Sequence, residues 1–142
     1  MRIRLLMLGK TRRPELRALL EDYAKRVSRS NPIEIVELRD AGAALRKLEG
    51  DRAAVVVLLD GGGKQPGSEE FAKWLGRLRD TGTRELVFLC GDAEGFPEEL
   101  RRRAQHKLSL GPMTLSHELA RVVLAEQIYR AFAILSGSPY PK

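Results

Sequence analysis

The chain has 142 residues, of which 43% are hydrophobic and 31% charged, a composition that indicates one folded domain and excludes a disordered or fibrous protein. The net charge of +6 favours a polyanionic partner such as nucleic acid. An alternative of about equal weight is that the charge serves only solubility. The single cysteine, Cys90, excludes an internal disulfide. With no apolar run long enough for a signal peptide or a membrane span, we expect a cytoplasmic protein that does not bind membranes.

Short apolar segments alternate with amphipathic ones from one end of the chain to the other. Strands are predicted at residues 3–8, 33–38, 53–59, 86–90 and 107–110, and helices at residues 15–27, 41–48, 68–80 and 97–104 and from Ser116 onward. Ser68 is the predicted N-cap of the third helix. Residues 60–64 follow the third strand, and a turn is predicted at Pro66 and Gly67, just before the helix. This alternation predicts one α/β domain over residues 1–142, with a parallel sheet and helices on both of its faces.

The final helix is apolar around most of its circumference. Such a helix must be buried on several sides, which a small domain rarely achieves alone. We therefore expect a symmetric homodimer, with a central helix inside the monomer as the alternative.

Two small-residue turns suggest a pocket lined by main chain. Gly91 and Gly95 follow an apolar strand, and residues 110–115 precede the final helix. Glycine lets a ligand approach the backbone, and ligands of α/β sheets bind at the carboxyl ends of strands. Neither this turn nor the run at residues 61–64 matches a dinucleotide fingerprint or a P-loop.

Charged residues near these turns are candidates for chemistry. His117 and Arg121 lie four residues apart and share one side of the helix, whereas Arg130 is about half a turn out of phase with Arg121. A capping histidine beside a solvated arginine is the alternative for the first pair. Residues 101–103, with His106 and Lys107, form the densest basic cluster, which is either a phosphate contact or a solvated helix face. No zinc-type Cys/His spacing occurs, so no metal is expected.

Four segments carry a resemblance to a known family. Residues 91–96 (GDAEGF) resemble the G-G-P-E-G turn of the RlmH-type ribosomal RNA methyltransferases of the SPOUT superfamily. Residues 109–117 (SLGPMTLSH) resemble their L-S-x-x-T-L-x-H segment, and residues 120–131 (ARVVLAEQIYRA) resemble their V-R-V-x-x-x-E-x-x-Y-R-A helix. Residues 138–140 (SPY) resemble their C-terminal H-P-Y-H. The likeness also includes residues 1–10 and 58–60, so it spans essentially the whole chain.

The resemblance implies a SPOUT fold with a C-terminal trefoil knot and a homodimer. It implies methylation of ring nitrogen 3 of a pseudouridine in large-subunit ribosomal RNA on assembled ribosomes, with S-adenosylmethionine as donor. By motif position, the residues that bind the donor are Leu59, Gly91, Gly95, Leu110, Gly111, Pro112, Met113, Thr114 and Leu115. Arg130 or Arg121 would stabilise the developing anion, Tyr140 would orient the base and His117 would accept the proton.

The chain departs from the family pattern in three places. Asp92 and Ala93 replace a glycine and a proline of the first turn, and Ser138 and Pro141 replace the two histidines beside Tyr140. The segment between residues 40 and 53 is also shorter than is usual in the family. These departures keep open a non-catalytic RNA-binding or ribosome-binding module of the same fold. A small-nucleotide-binding α/β protein is a third, weaker possibility.

Overall fold

A computed structural model describes residues 1–140 of the chain. Five strands alternate with five helices in this region, as the sequence pattern predicts. The strands are β1 (Arg2–Leu8), β2 (Ile33–Leu38), β3 (Val55–Lys64), β4 (Glu85–Cys90) and β5 (His106–Leu108). The helices are α1 (Pro14–Ser28), α2 (Ala41–Glu49), α3 (Ser68–Asp80), α4 (Glu98–Arg103) and α5 (His117–Ser136).

All five strands belong to one parallel sheet, in the order β2-β1-β4-β3-β5. Strands β1 and β4 lie at its centre, where the segments from Ile3 to Met7 and from Leu86 to Cys90 are almost wholly buried. Burial on both faces explains why these strands are continuous apolar runs rather than alternating ones. The predicted α/β class with a parallel sheet is confirmed.

Helices cover both faces of the sheet. Helices α1, α3 and α5 pack on one face against side chains such as Leu5 and Phe88, whereas α2 and α4 pack on the other against Leu6 and Leu89. Because neighbouring side chains of a strand point to opposite faces, each central strand contributes to both cores. In the three-helix layer, α5 packs against both α1 and α3.

Several local predictions differ from the structure. Strand β3 continues to Lys64 rather than ending at residue 59 as predicted, because Lys64 pairs with Leu108 of β5 beyond an irregularity. The N-cap of α3 is Gly67 rather than Ser68. The Ser68 hydroxyl instead donates a 2.7 Å hydrogen bond to Oε1 of Gln127 in α5.

Helix α5 is buried mainly by its own chain. The sheet, α1 and α3 cover its residues Leu124, Ala125 and Ile128, which have no exposed surface. Leu119 and Ile134 each remain 39% exposed. The all-round apolar pattern therefore reflects a central helix within the monomer, and the homodimer stays a prediction that rests on the family resemblance. The knot also stays a prediction, and the family departure at Pro141 lies outside the described residues.

Candidate active site

A cavity of about 400 Å³ opens at the carboxyl ends of β3, β4 and β5. Its floor includes Leu59, Cys90 and Leu108, the residues at which the apolar parts of these strands end. The cavity is also lined by every residue predicted to bind the donor: Leu59, Gly91, Gly95, Leu110, Gly111, Pro112, Met113, Thr114 and Leu115. Two turns that lie about twenty residues apart in sequence thus meet at one site, because parallel strands end at the same edge of the sheet.

Backbone conformation explains the glycines of these turns. Gly95 has φ +81° and Gly111 has φ +146°, which are values that residues with a Cβ rarely adopt. At Gly91 the constraint is packing, because a Cβ there would lie 3.2 Å from the ring of Phe96. The second turn is held by Ser109, whose buried hydroxyl donates to the carbonyl oxygen of Gly111 at 2.9 Å. The main chain that faces the cavity is therefore held in a defined shape.

Asp92 stabilises the first turn instead of filling the cavity. Its carboxylate accepts a 2.9 Å hydrogen bond from the backbone N–H of Glu94, and its carbonyl oxygen accepts one from Gly95 at 3.2 Å. The side chain is exposed and folds back on its own loop. An aspartate is well suited to such a turn, because its short carboxylate satisfies a main-chain donor two residues further on. The substitution thus leaves the cavity open.

The cavity also contains an ion pair that the motif argument missed. Nη1 of Arg101 lies 3.2 Å from Oδ2 of Asp60, and both side chains are partly exposed, at 32% and 23%. The sequence places Arg101 in a basic cluster and Asp60 after a strand, which gave no indication that they meet. Their pairing adds a polar part to a lining that also includes the apolar residues Leu59 and Leu115.

Of the four predicted catalytic residues, the structure brings only His117 to the cavity wall. His117 is the first residue of α5 and is exposed. The helix begins there because the Ser116 side chain accepts a hydrogen bond from the backbone N–H of Leu119, as an N-cap residue does.

Arg121 is completely buried and does not line the cavity. Its guanidinium donates hydrogen bonds to the carbonyl oxygens of Leu8 (2.8 Å) and Gly9 (3.1 Å) and to the hydroxyl of Thr11 (2.9 Å). Burial lowers the pKa of this group below its ordinary value of 12.5. The alternative of a solvated arginine and the prediction of a direct substrate contact both disagree with this position. Arg121 instead joins α5 to the segment after β1.

Glu118 holds the same segment from the preceding turn of α5. Its carboxylate accepts hydrogen bonds from the backbone N–H groups of Arg12 (2.9 Å) and Arg13 (3.1 Å). The hydrogen bond from Arg13 is the main reason that the pKa of Glu118 lies below its ordinary value. Sequence reasoning missed this residue, because a glutamate in the first turn of a helix is explained by the helix dipole alone.

Arg130 and Tyr140 form a cluster outside the lining of the cavity. The Tyr140 hydroxyl donates to Oε2 of Glu126 at 2.6 Å, and Nη2 of Arg130 lies 2.9 Å from the same oxygen. The Arg130 guanidinium also sits 5.0 Å from the centre of the Tyr140 ring. Burial, and then the hydrogen bond to Glu126, raises the pKa of Tyr140. Within one chain, these two residues do not share the site of His117.

The family model described as predicted SPOUT methyltransferase matches residues 1–141. The chain belongs to the SPOUT methyltransferase family. A protein of Koribacter versatilis named ribosomal RNA large subunit methyltransferase H is 44% identical over 142 residues, which cover 99% of this chain and 97% of that protein.

Two solved structures share the SPOUT fold. The tRNA (m1G37) methyltransferase of Aquifex aeolicus has a TM-score of 0.64 and 14% identity, over 100% of this chain and 75% of that one. The SpoU methyltransferase AviRb of Streptomyces viridochromogenes, solved in complex with the cofactor AdoMet, has a TM-score of 0.56 and 13% identity, over 91% of this chain and 57% of that one.

The predicted basic cluster of this SPOUT chain does not form one surface. Arg101 faces the cavity, whereas Arg103 donates to the carbonyl oxygens of Asp51 and Ala54 and so fixes the end of α4. His106 and Lys107 are exposed on the edge strand β5, where they line a different cavity from the one that Arg101 lines.

Within residues 1–140, no group of three or more His, Cys, Asp or Glu residues is arranged to hold a metal ion. None of the helices in that part of the SPOUT domain has both the length and the hydrophobicity needed to cross a bilayer.

Proposed function

We propose that this protein transfers a methyl group from S-adenosylmethionine to ring nitrogen 3 of a pseudouridine in the large-subunit ribosomal RNA of assembled ribosomes. The main support is that one cavity is lined by all nine residues that the family motifs predict to bind the donor. The name of the Koribacter relative, with 44% identity over nearly the full length, supports ribosomal RNA of the large subunit as the substrate. The cofactor held by AviRb, which shares the fold, supports the choice of donor.

The cavity suits this donor in size and in chemistry. Its volume of about 400 Å³ falls within the range of small-molecule sites. Leu59 and Leu115 offer apolar contact for an adenine ring, and the main chain at Gly91 and Gly111 allows close approach. Asp60 supplies a carboxylate acceptor for ribose hydroxyls. When bound, S-adenosylmethionine supplies a methyl carbon that the adjacent sulfonium makes electrophilic.

His117 is the proposed proton acceptor. The target nitrogen belongs to a weakly acidic imide, which must lose its proton as it attacks the methyl carbon. The His117 imidazole is exposed on the cavity wall, so it can reach a base bound at the rim. Alignment of the two reactants is the other contribution that the cavity makes.

We propose that the active unit is a homodimer, because Arg130 and Tyr140 are separated from the cavity of their own chain. In a two-fold assembly, these residues of one copy would serve the cavity of its partner. Arg130 would then stabilise the developing anion, and Tyr140 would orient the base. We assign Arg121 a positioning role, since its hydrogen bonds hold the segment after β1 against α5. We further propose that residues 1–142 form one domain that works in the cytoplasm.

The test is methyl transfer from radiolabelled S-adenosylmethionine to ribosomes that lack the modification. The purified chain should label the large-subunit RNA, and digestion should recover the label in a 3-methylpseudouridine nucleoside. Ribosomes that already carry the modification are the matched control. His117→Gln should slow the transfer by about a hundredfold or more while calorimetry detects unchanged donor binding. Absence of label at high protein concentration would defeat the proposal.

A non-catalytic RNA-binding module is the second candidate. It is favoured by Ser138, which stands where the family has a histidine and whose backbone N–H donates to the carbonyl oxygen of Ala133. Its side chain has no group that can exchange a proton near neutral pH. Titration calorimetry separates the candidates, because the module predicts RNA binding without heat from S-adenosylmethionine.

A further inference from the structure

A second cavity, of about 750 Å³, lies between α3 and the edge strand β5. Four cationic side chains line it: Lys64, Lys73, Arg77 and Lys107. Its apolar wall includes Trp74, the chain's single tryptophan. We call this feature the β5 groove.

Gly63 allows the end of β3 to approach β5 closely at the edge of the β5 groove. A Cβ at Gly63 would lie 2.5 Å from the carbonyl carbon of Lys107, so only glycine lets the end of β3 cross so close to β5. This crossing is fixed by a 2.7 Å hydrogen bond from the backbone N–H of Ser109 to the carbonyl oxygen of Lys64. Lys64 and Lys107 are thereby brought to the same edge of the sheet. Gly63, which belongs to the run that does not match a P-loop, thus has a structural purpose.

Aromatic groups accompany these cations. The ring of His106 stands edge-on to that of Trp74, with their centres 5.3 Å apart. Trp74 also packs against Phe71, and the centres of their rings lie 5.9 Å apart. Burial and then the charge of Lys64 lower the pKa of His106 below its ordinary value. The indole is partly exposed on the groove side, and the imidazole is exposed.

The cations of the β5 groove are available to a ligand. All four are exposed, and no ion pair within residues 1–140 includes any of them. The one acidic side chain in the lining, Glu70, faces the start of α3, where its carboxylate accepts from the backbone N–H of Gly67 at 3.4 Å. The described lining of the groove therefore carries a net positive charge, with four cations and one carboxylate.

We propose that the β5 groove binds RNA, with the four cations on phosphates and an unpaired base stacked beside Trp74 and His106. Cations that follow a groove lined by aromatic rings match the chemistry of single-stranded nucleic acid. A loop or bulge suits the groove better than a duplex, because its bases are free to stack on aromatic side chains. The inference rests on the proposed function for the identity of the polyanion, and it adds a contact surface separate from the cofactor cavity.

Trp74 makes the binding directly observable. An RNA stem-loop added to the wild-type chain should quench the tryptophan emission in a saturable way, and potassium chloride should reverse the quenching. A fully paired duplex of equal length, as the comparison ligand, should quench less. RNA that binds without changing the emission would overturn the proposal. Emission that follows protein concentration rather than RNA would also overturn it, since the groove would then be a contact between copies of this chain.

A paired set of charge variants tests the cations. In Lys73→Gln/Arg77→Gln, the affinity for the stem-loop should fall about tenfold at physiological salt. The slope of log affinity against log salt concentration should decrease in magnitude by about 1.4, because each single-strand phosphate contact contributes about 0.7. The matched control is Arg46→Gln/Lys47→Gln, which removes two exposed cations from α2 on the opposite face of the sheet. The control should keep its affinity and slope.

Two further readouts separate this proposal from the proposed function. The groove variant should bind S-adenosylmethionine with the affinity of the wild type, because neither substituted residue lines the cofactor cavity. Equal RNA affinities for the groove variant, the control and the wild type would overturn the β5 groove proposal even if methyl transfer were observed. Failure of methyl transfer while the groove variant selectively loses RNA would instead count against the enzymatic assignment alone.

Discussion

Tyr140 and Glu126 are joined by a 2.6 Å hydrogen bond from the phenol to Oε2 of the carboxylate. The same oxygen lies 2.9 Å from Nη2 of Arg130, one turn further along α5. One carboxylate therefore sets the positions of the two residues that the proposed dimer would present to the RNA base. Because Glu126 is only 17% exposed, its interactions are shielded more than those of a surface ion pair.

Glu126→Gln should lower the free energy of unfolding by about 1–2 kcal/mol, because it replaces a charged acceptor of three hydrogen bonds, from Gln127, Arg130 and Tyr140, with a neutral amide. Urea denaturation monitored by circular dichroism measures this loss. The matched control is Glu34→Gln on β2, which is exposed and should change stability by less than about 0.5 kcal/mol. Equal stabilities of the two variants would show that the cluster on α5 contributes nothing.

Arg121→Met should destabilise the fold by about 3 kcal/mol or more, because it leaves buried main-chain acceptors at Leu8 and Gly9 without their donor. Thermal and urea unfolding measure the effect, and Arg46→Met, at an exposed position, is the control. A directly catalytic arginine predicts a different result, namely normal stability with lost methyl transfer. That outcome would contradict the positioning role.

Gly95→Ala and Gly50→Ala should change stability in opposite directions. Gly95 has φ +81°, so a Cβ there costs about 1–2 kcal/mol and distorts the turn beside the cavity. Gly50 has φ −76° with open space around it, so alanine should stabilise by about 0.4–1 kcal/mol through the unfolded state. Urea midpoints test both, and calorimetry should detect weaker donor binding only for Gly95→Ala. Destabilisation by both variants would refute the conformational argument.

Cys90 should be a poorly reactive thiol. Burial raises the pKa of Cys90 from its ordinary value of 9.0 to about 12. At pH 8 this reduces the thiolate fraction about a thousandfold, so the native chain should react with a disulfide reagent that much more slowly than the chain in urea. Fast native labelling would disprove the buried position.

Because of the same pKa shift, Cys90 should make the free energy of unfolding depend on pH. Above pH 9 the unfolded thiol ionises while the folded one stays protonated, so stability is lost as the pH rises from 9 towards 12. Relative to Cys90→Ala, the decline should approach about 1.4 kcal/mol per pH unit within that window. Parallel curves for the two proteins would show that the thiol is solvated.

The element order was predictable because each strand and helix has its own periodicity and stop signals. The pocket was also predictable in outline, since glycine turns after strands of a parallel sheet must gather at one edge. The positions and partners of individual side chains were less predictable from the sequence. Arg121 and Arg130 are both arginines on one helix, yet one is buried against main chain and the other pairs with Glu126. Spacing along a helix gives the angle between side chains but not what lies opposite each.

By itself, the sequence determined the α/β class, the five strands, and the turns at Gly91–Gly95 and residues 110–115. Only the tertiary structure decided that α5 is buried by its own monomer, that Asp60 meets Arg101, and that the glycine run of β3 carries Lys64 to the edge of β5. The physical reason is the range of the interactions involved. Periodicity, caps and glycine torsions are local, whereas burial and charge pairing depend on residues that are distant in the chain and become neighbours only when the sheet assembles.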